Sequence, residues 1–392
     1  MKKNKQMTSR ERFTAALNHK EADKIPLDLC GHQTGIHYSA YCRVLDALEI
    51  QDKNILLYDY GQQLPVPCDE LLERFGVDTL TVHVPSLLQP ASTDLDKEQV
   101  NGYVGYWDKF GVFYGRDPNK PRRIYNDIIH PFETFTRPQE IREFDWPSIN
   151  SSLFDGLKDH AQKLYKYTSK ALIGRSVGSI FQWAHYLFGL ERFMKMIIKQ
   201  PAMIIAAFDG LLEYCKAFAK GYLGAAGNFI QTVQFTSDLT GQNGPLISPR
   251  LYRKLVKPYQ AKLVNYIKEL ARVKVNFHTC GAAYHFIPDL VEIGVDCINP
   301  VQISAAGMDP CRLTRDFGES ITFWGGLCNP QSTLPFGTLD KIRSEVLYNM
   351  NCFKNGKKGK TGGFIAAPVH NICYDVPAEN IIALFDAFKD GR

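Results

Sequence analysis

The stretch Asn276-Phe-His-Thr-Cys-Gly281 sets an imidazole and a thiol two residues apart. On an extended segment, side chains two apart share a face, so His278 and Cys280 point the same way. One nitrogen and one sulfur donor make half of a zinc site. The plainer alternative is a hydrogen-bonded His beside a packed Cys. Gly281 lets the chain turn sharply straight afterwards. A second stretch, His370-Asn-Ile-Cys-Tyr-Asp-Val-Pro-Ala-Glu-Asn380, offers Cys373 as a third donor. His278, Cys280 and Cys373 would leave a fourth position open, as catalytic zinc sites do. His370 competes with Cys373 as ligand, or supports the ligands or faces substrate. Cys30 and Cys328 each serve as a fourth ligand or as a small packing residue.

Such donors need rigid elements to position them. Short apolar or β-branched runs alternate with amphipathic helical stretches, the pattern of a parallel α/β fold. Eight runs are found: Ile25–Cys30, Thr79–Val84, Ala171–Val177, Phe229–Thr236, Val273–Thr279, Asp296–Val301, Ile321–Trp324 and Gly363–Val369. Eight strands with helical crossovers imply a closed (β/α)8 TIM barrel, whose active sites form at the C-terminal ends of the strands. His278, Cys280, His370 and Cys373 all follow such ends. The long stretch between Val84 and Ala171 holds Tyr103–Trp107 and Gly111–Tyr114 around Asp108-Lys-Phe, which reads as an inserted β-hairpin. A single barrel domain over residues 1–392, with N-terminal helical and hairpin insertions, accounts for the length. The alternative is an open doubly wound sheet with a small N-terminal domain.

Helix signals agree with this layout. Thr8 and Glu11 form a capping box ahead of Phe13, Ala16 and Leu17. Leu251 to Leu270 carries an apolar stripe that Pro258 would kink. The last helix starts near Pro377.

Other groups converge on the expected barrel mouth: Asp28, His32, Arg175, Gln182, Trp183, Asp238, Gln242, Gln302, Trp324 and His370. Together they suit a pocket for a small planar or aromatic ligand, with Tyr186 beside Trp183. Two tempting motifs fail. Gly356-Lys-Lys-Gly-Lys-Thr361 resembles a phosphate loop, but Lys354 stands where its first Gly is required and a strand follows instead of preceding it. Gly221, Gly224 and Gly227 have the wrong spacing for a dinucleotide fingerprint and read as turn glycines.

Composition narrows the partners. The chain of 392 residues carries 46 Lys and Arg against 41 Asp and Glu, a net charge of +5. So small an excess calls for neither nucleic acid nor an anionic membrane. No apolar run approaches the roughly 18 residues of a membrane-spanning helix. No apolar stretch follows the basic start, so no secretory signal is read and a cytoplasmic location is expected. The ten cysteines are then expected to be thiols, with Cys42, Cys68, Cys215, Cys297, Cys311 and Cys352 in packing roles.

The same residues carry a family resemblance. The chain resembles the uroporphyrinogen decarboxylase superfamily of (β/α)8 barrels over nearly its whole length. The resemblance rests on Thr8-Ser-Arg-Glu-Arg-Phe13, Asp69-Glu-Leu-Leu-Glu-Arg-Phe-Gly-Val-Asp78, Gly244-Pro-Leu-Ile-Ser-Pro249, His278-Thr-Cys-Gly281, Asn299-Pro300 with Ala306-Gly-Met-Asp309, Phe323-Trp-Gly-Gly326, and Val376-Pro-Ala-Glu-Asn380. True decarboxylases of that superfamily hold a polycarboxylate with an Arg-rich N-terminal loop. Here the corresponding Cys30-Gly-His-Gln-Thr-Gly35 has no Arg, which leaves such carboxylates poorly held. The corrinoid-linked zinc methyltransferases are the better match, and the resemblance implies His278, Cys280 and Cys373 as ligands and catalytic residues. It further implies zinc as cofactor and a separate protein carrying a corrinoid (cobalamin) as partner. The expected reaction moves a methyl group from a small methoxylated substrate to the corrinoid; the alternative is transfer from a methylcorrinoid to a thiol, as in the coenzyme M enzymes. Those enzymes have acidic residues near the sixth strand, where this chain has Asn299-Pro-Val-Gln302.

Overall fold

The computed structural model describes residues 6–29, 31, 33–120, 124–354 and 363–392. Cys30, His32 and the basic segment Gly356–Thr361 lie outside the described residues. Seven of the eight expected runs pair side by side as a parallel sheet, in chain order: Thr79–Val82, Ala171–Ser176, Thr232–Thr236, Lys274–His278, Cys297–Asn299, Thr322–Trp324 and Phe364–Ile365. Their near-continuous burial, as in Val275, Phe277, Ile298 and Phe323, is what a parallel sheet covered by helices requires.

The first run forms no full strand. It makes one parallel bridge, Leu27 to Ala366. The Asp28 N–H donates to the Ala366 carbonyl (2.8 Å), and the Asp78 N–H donates to the Leu27 carbonyl (2.8 Å). Residues 27 and 28 thus bond to Asp78 and Ala366, which adjoin the first and the last sheet strands, and the sheet closes through them as an α/β barrel.

Register carries the site. Thr236 pairs with His278, and His278 pairs in turn with Asn299. The helix Pro201–Ala226 backs this region and contains Gly221 and Gly224, which are therefore helical residues and not turn glycines. A Cβ on Gly221 would meet the Phe154 ring, so close packing explains that glycine. The expected kink at Pro258 takes the form of a π turn at Tyr252–Val256, after which Lys257–Leu270 resumes as an α-helix with Pro258 in its first turn.

The hairpin belongs to a four-stranded antiparallel sheet of Glu98–Val100, Tyr103–Trp107, Phe113–Arg116 and Asn126–Ile129. At its tip the Asp108 carboxylate accepts the N–H groups of Phe110 and Val112, both at 2.9 Å. Phe110 reaches the barrel, with its ring 5.6 Å from that of Trp183 and 5.0 Å from that of Tyr214.

Cys311 and Cys352 form a disulfide, which corrects their reading as packing thiols. The helices Pro310–Phe317 and Leu339–Lys354 pack against each other and set the two Cα atoms 4.6 Å apart, a proximity that 41 residues of separation conceal. No helix among the described residues is long and apolar enough to cross a membrane.

Beneath the barrel, Asp78 joins three distant segments. Its Oδ1 accepts from Arg12 (2.6 Å) and from the Ser9 hydroxyl (2.6 Å), and its Oδ2 accepts from the Leu27 N–H (2.9 Å) and from Arg392. Asp78 is 2% exposed. The capping box of Thr8 and Glu11 starts the helix Ser9–Leu17 that delivers Arg12. Removing one partner of a buried charge network leaves the others uncompensated. Asp78→Asn is therefore expected to lower the unfolding free energy by about 3 kcal/mol, read as a lower urea midpoint at unchanged slope.

Candidate metal centre

His278 ends its strand buried, and its ring is held from behind. The Asn299 Nδ2 donates to the Trp324 carbonyl (3.1 Å), which turns the Asn299 Oδ1 towards the His278 Nδ1 at 2.7 Å. An amide oxygen only accepts, so the proton of His278 sits on Nδ1 and the lone pair sits on Nε2. That Nε2 lies 3.4 Å from the Cys280 sulfur. Metal-binding His residues are oriented by a second hydrogen bond of this kind.

Cys280 is fixed by its backbone, whose N–H donates to the Asp238 Oδ1 at 2.8 Å. The same carboxylate stands 4.0 Å from the His278 Nε2. Burial pushes the Cys280 thiol well above its usual range, and the Asp238 charge adds to this. His370 completes the group, with its ring centroid 5.4 Å from that of His278. Burial, and then the positive charge His278 would carry, pull His370 down to about 4, so it is a neutral imidazole at physiological pH. Donor atoms of His278, Cys280 and His370 all lie within 4.8 Å of one another. Two imidazole nitrogens and one sulfur suit zinc.

Cys373 is not part of this group. It is exposed, and its sulfur is 3.9 Å from the Asn371 carbonyl. The reason is local packing. Ile372 bridges Ile36 and is 1% exposed, and Arg43 holds the carbonyls of Tyr374 and Val376. This pins the turn with His370 facing the barrel and Cys373 facing outward. Cys328 is buried in the hydrophobic core, a packing role.

The remaining expected substrate residues divide. Asp28 and Trp324 do not face the mouth. Asp28 is fully buried and accepts from the hydroxyls of Thr79 (2.6 Å) and Thr34 (2.7 Å) and from the Trp324 Nε1 (2.9 Å). The void beside them measures about 10 Å³, too small for a substrate. Gln302 is a loop support: its Oε1 accepts the Gly281 N–H (2.7 Å) and its Nε2 donates to Gln242 (2.7 Å).

Arg175 and Trp183 do line a cavity, of about 360 Å³, at the mouth. A second cavity, of about 570 Å³, shares Arg175, Gln182 and Tyr186 with it and is walled by His278, His370 and Asp238. Gln182 links the two, donating to Asp238 (3.2 Å) and to the Tyr186 hydroxyl (2.9 Å). Sequence reasoning missed Lys109, Asp59 and Tyr214 in these walls, and missed Asn299 as the His278 partner.

The family profile described as uroporphyrinogen decarboxylase (URO-D) matches residues 130–391, two thirds of the chain. The chain belongs to the uroporphyrinogen decarboxylase family. A solved methyltransferase from Methanosarcina mazei aligns over 98% of this chain and 99% of its own, at a TM-score of 0.64 and 18% identity, and shares the fold. A GH113 β-1,4-mannanase aligns at a TM-score of 0.37 and 10% identity, over 94% of this chain and 99% of its own, too distant to bear on function. No curated protein matches the chain. Within the family fold, the Asn299 to His278 hydrogen bond controls the donor set. Asn299→Leu removes the acceptor and frees the ring, and is expected to weaken zinc affinity about 10- to 100-fold, measured by competition with a chromophoric chelator.

Proposed function

We propose that this chain is a zinc-dependent methyltransferase that moves a methyl group from a small methoxylated substrate to the corrinoid of a partner protein. The observation that carries this reading is the grouping of His278, Cys280 and His370 beside a cavity that His278 and His370 wall, which shares Arg175, Gln182 and Tyr186 with a cavity lined by Phe110 and Trp183. The fold shared with the Methanosarcina mazei methyltransferase supports it. His278, Cys280 and His370 would hold the metal. When bound, zinc supplies Lewis acidity towards an ether oxygen.

The rest falls to the chain's own side chains. Asn299 keeps the His278 lone pair turned to the cavity, and Asp238 fixes the Cys280 backbone. Trp183 and Phe110 offer faces for a planar ring. The inserted sheet and its hairpin turn contribute Phe110, Val112 and Tyr114 to one wall of the cavity. Two neutral imidazoles and one thiolate leave a divalent ion with a formal charge of 2 − 1 = +1, against zero with two thiolates. The higher charge favours drawing electrons from a methoxy oxygen over keeping a bound thiol nucleophilic. This makes the donor-side reaction the better reading than transfer to a thiol acceptor.

The decarboxylase reading fares worse. The segment after the first run carries no Arg, and its described residues are tied inward. The Gly35 N–H donates to the Asn371 Oδ1 (2.8 Å), and the Asn371 Nδ2 donates to the Gln33 Oε1 (3.0 Å).

Elemental analysis tests the ligand set. Stoichiometric zinc is expected in wild type and in Cys373→Ser, and little in His370→Ala or Cys280→Ser. Zinc lost from Cys373→Ser but kept in His370→Ala would reassign the third ligand. Incubating the zinc form with reduced corrinoid protein and a methoxyarene panel tests the reaction, with methylated corrinoid and free phenol as expected products. Turnover only with a methylated corrinoid and a thiol acceptor would reverse the direction.

A further inference from the structure

The disulfide between Cys311 and Cys352 joins two helices that flank the barrel. Pro310–Phe317 follows the strand Cys297–Asn299, and Leu339–Lys354 follows the strand Thr322–Trp324. Those two strands pair in parallel, and the Asn299 side chain donates to the Trp324 carbonyl where they end. The cross-link therefore fastens, from outside, the two strand–helix units whose meeting point orients His278.

Each half of the cross-link leads to the site by a short path. The loop before Pro310–Phe317 carries Gln302, which accepts the Gly281 N–H (2.7 Å) directly after Cys280. The Ala306 N–H on the same loop donates to the Gln242 carbonyl (3.0 Å). Leu339–Lys354 braces the other side. Its Asn349 Nδ2 donates to the Leu327 carbonyl (3.1 Å), and its Glu345 accepts the Asn329 N–H (2.6 Å). Phe353, next to Cys352, stacks on Phe364 with centroids 4.3 Å apart, and Phe364 lies on the strand that leads to His370. Pro310–Phe317 has only eight residues, too few for a helix to hold on its own, so its position depends on what it is fastened to.

The bond is also open to chemistry. Cys311 is exposed, while Cys352 is buried. Exposed disulfides are the labile, exchangeable ones. Seven other described cysteines are free, Cys280 among them. Surroundings that keep Cys280 a thiol also bring reductant to Cys311. We propose that Cys311 and Cys352 form a redox clamp, which when closed locks the units carrying Asn299 and Trp324 and when opened by a dithiol reductant loosens them. In opening, a thiolate of the reductant attacks the Cys311 sulfur and breaks the S–S bond, and the electron pair leaves on the Cys352 sulfur, which takes up a proton. The second thiolate of the reductant then displaces Cys311, which is protonated in turn. The protein gains two electrons and two protons, and the dithiol becomes a disulfide. The clamp stands on packing alone; its bearing on zinc rests on the proposed metal centre.

Hydrogen exchange on the full chain, read by mass spectrometry in oxidised or reduced dithiothreitol, tests the clamp. Alkylation after denaturation reports the state of each cysteine. Cys311 and Cys352 are expected to escape alkylation in the oxidised sample and to be labelled in the reduced one. Opening is expected to speed exchange over 297–302 and 322–329 at least about tenfold and to leave Thr79–Val82, across the barrel, unmoved. Cys311→Ser, at an exposed position, is expected to exchange at the fast rate in either reagent, and Cys352→Ser to match it. Overturning results are wild-type exchange that is the same in both states, a Cys311→Ser protein that still responds to reductant, or full labelling of both cysteines in the oxidised sample. Zinc content of the same samples separates the two readings. A clamp effect with no zinc bound keeps the clamp and removes the metal centre, and bound zinc with exchange indifferent to the disulfide does the reverse.

Discussion

His278 carries its proton on the nitrogen that faces Asn299, and the rest of the site follows from that. The hydrogen bond exists because parallel register places His278 opposite Asn299 at the ends of adjacent strands. Asn299 cannot flip its amide, because its Nδ2 is engaged by the Trp324 carbonyl on the next strand. Three consecutive barrel strands therefore set the orientation of one imidazole. The Nε2 lone pair then faces Cys280, His370 and Asp238 without any loop having to choose it. A site held by sheet register is more rigid than one held by loops, which suits a centre whose donors must converge on one ion.

The strands were legible because each is a short local run of apolar residues with turn signals around it. The (β/α)8 pattern and the hairpin around Asp108 follow from the same local signals. The pair His278 and Cys280 was legible for a similar reason: two residues on one extended segment share a face whatever the rest of the chain does. His370 and Cys373 differ in this respect. Which of them faces inward depends on Ile372 packing against Ile36, a contact between residues far apart in the chain. Spacing alone offered either, and the structure brings His370, not Cys373, beside His278 and Cys280. Asp28 and Trp324 were misplaced for a related reason. Both stand near strand ends, but their side chains point into the barrel and bond each other, and the sequence does not separate inward from upward. The pairing of Cys311 with Cys352, and the approach of Lys109 to the mouth, likewise depend on how distant elements pack.

Charge links the metal centre to the cavity beside it. The proposed donor set would have one thiolate where the motif reading gave two, so a bound divalent ion would keep more of its charge. Asp238 offsets part of this, 4.0 Å from the His278 Nε2, while also holding the Cys280 backbone and accepting from Gln182. One carboxylate thus touches His278, the Cys280 backbone and Gln182.

The inserted antiparallel sheet then gains a physical purpose. A bare barrel mouth would leave Arg175 in water, where its charge is well solvated. With the hairpin folded over, Phe110 and Tyr214 cover one side and Lys109 adds a second cation at the rim. Extra length in the N-terminal half of the chain is therefore tied to the mouth: the barrel presents His278, Cys280 and His370, and the insertion adds Lys109, Phe110 and Tyr114 to the wall of a cavity beside them.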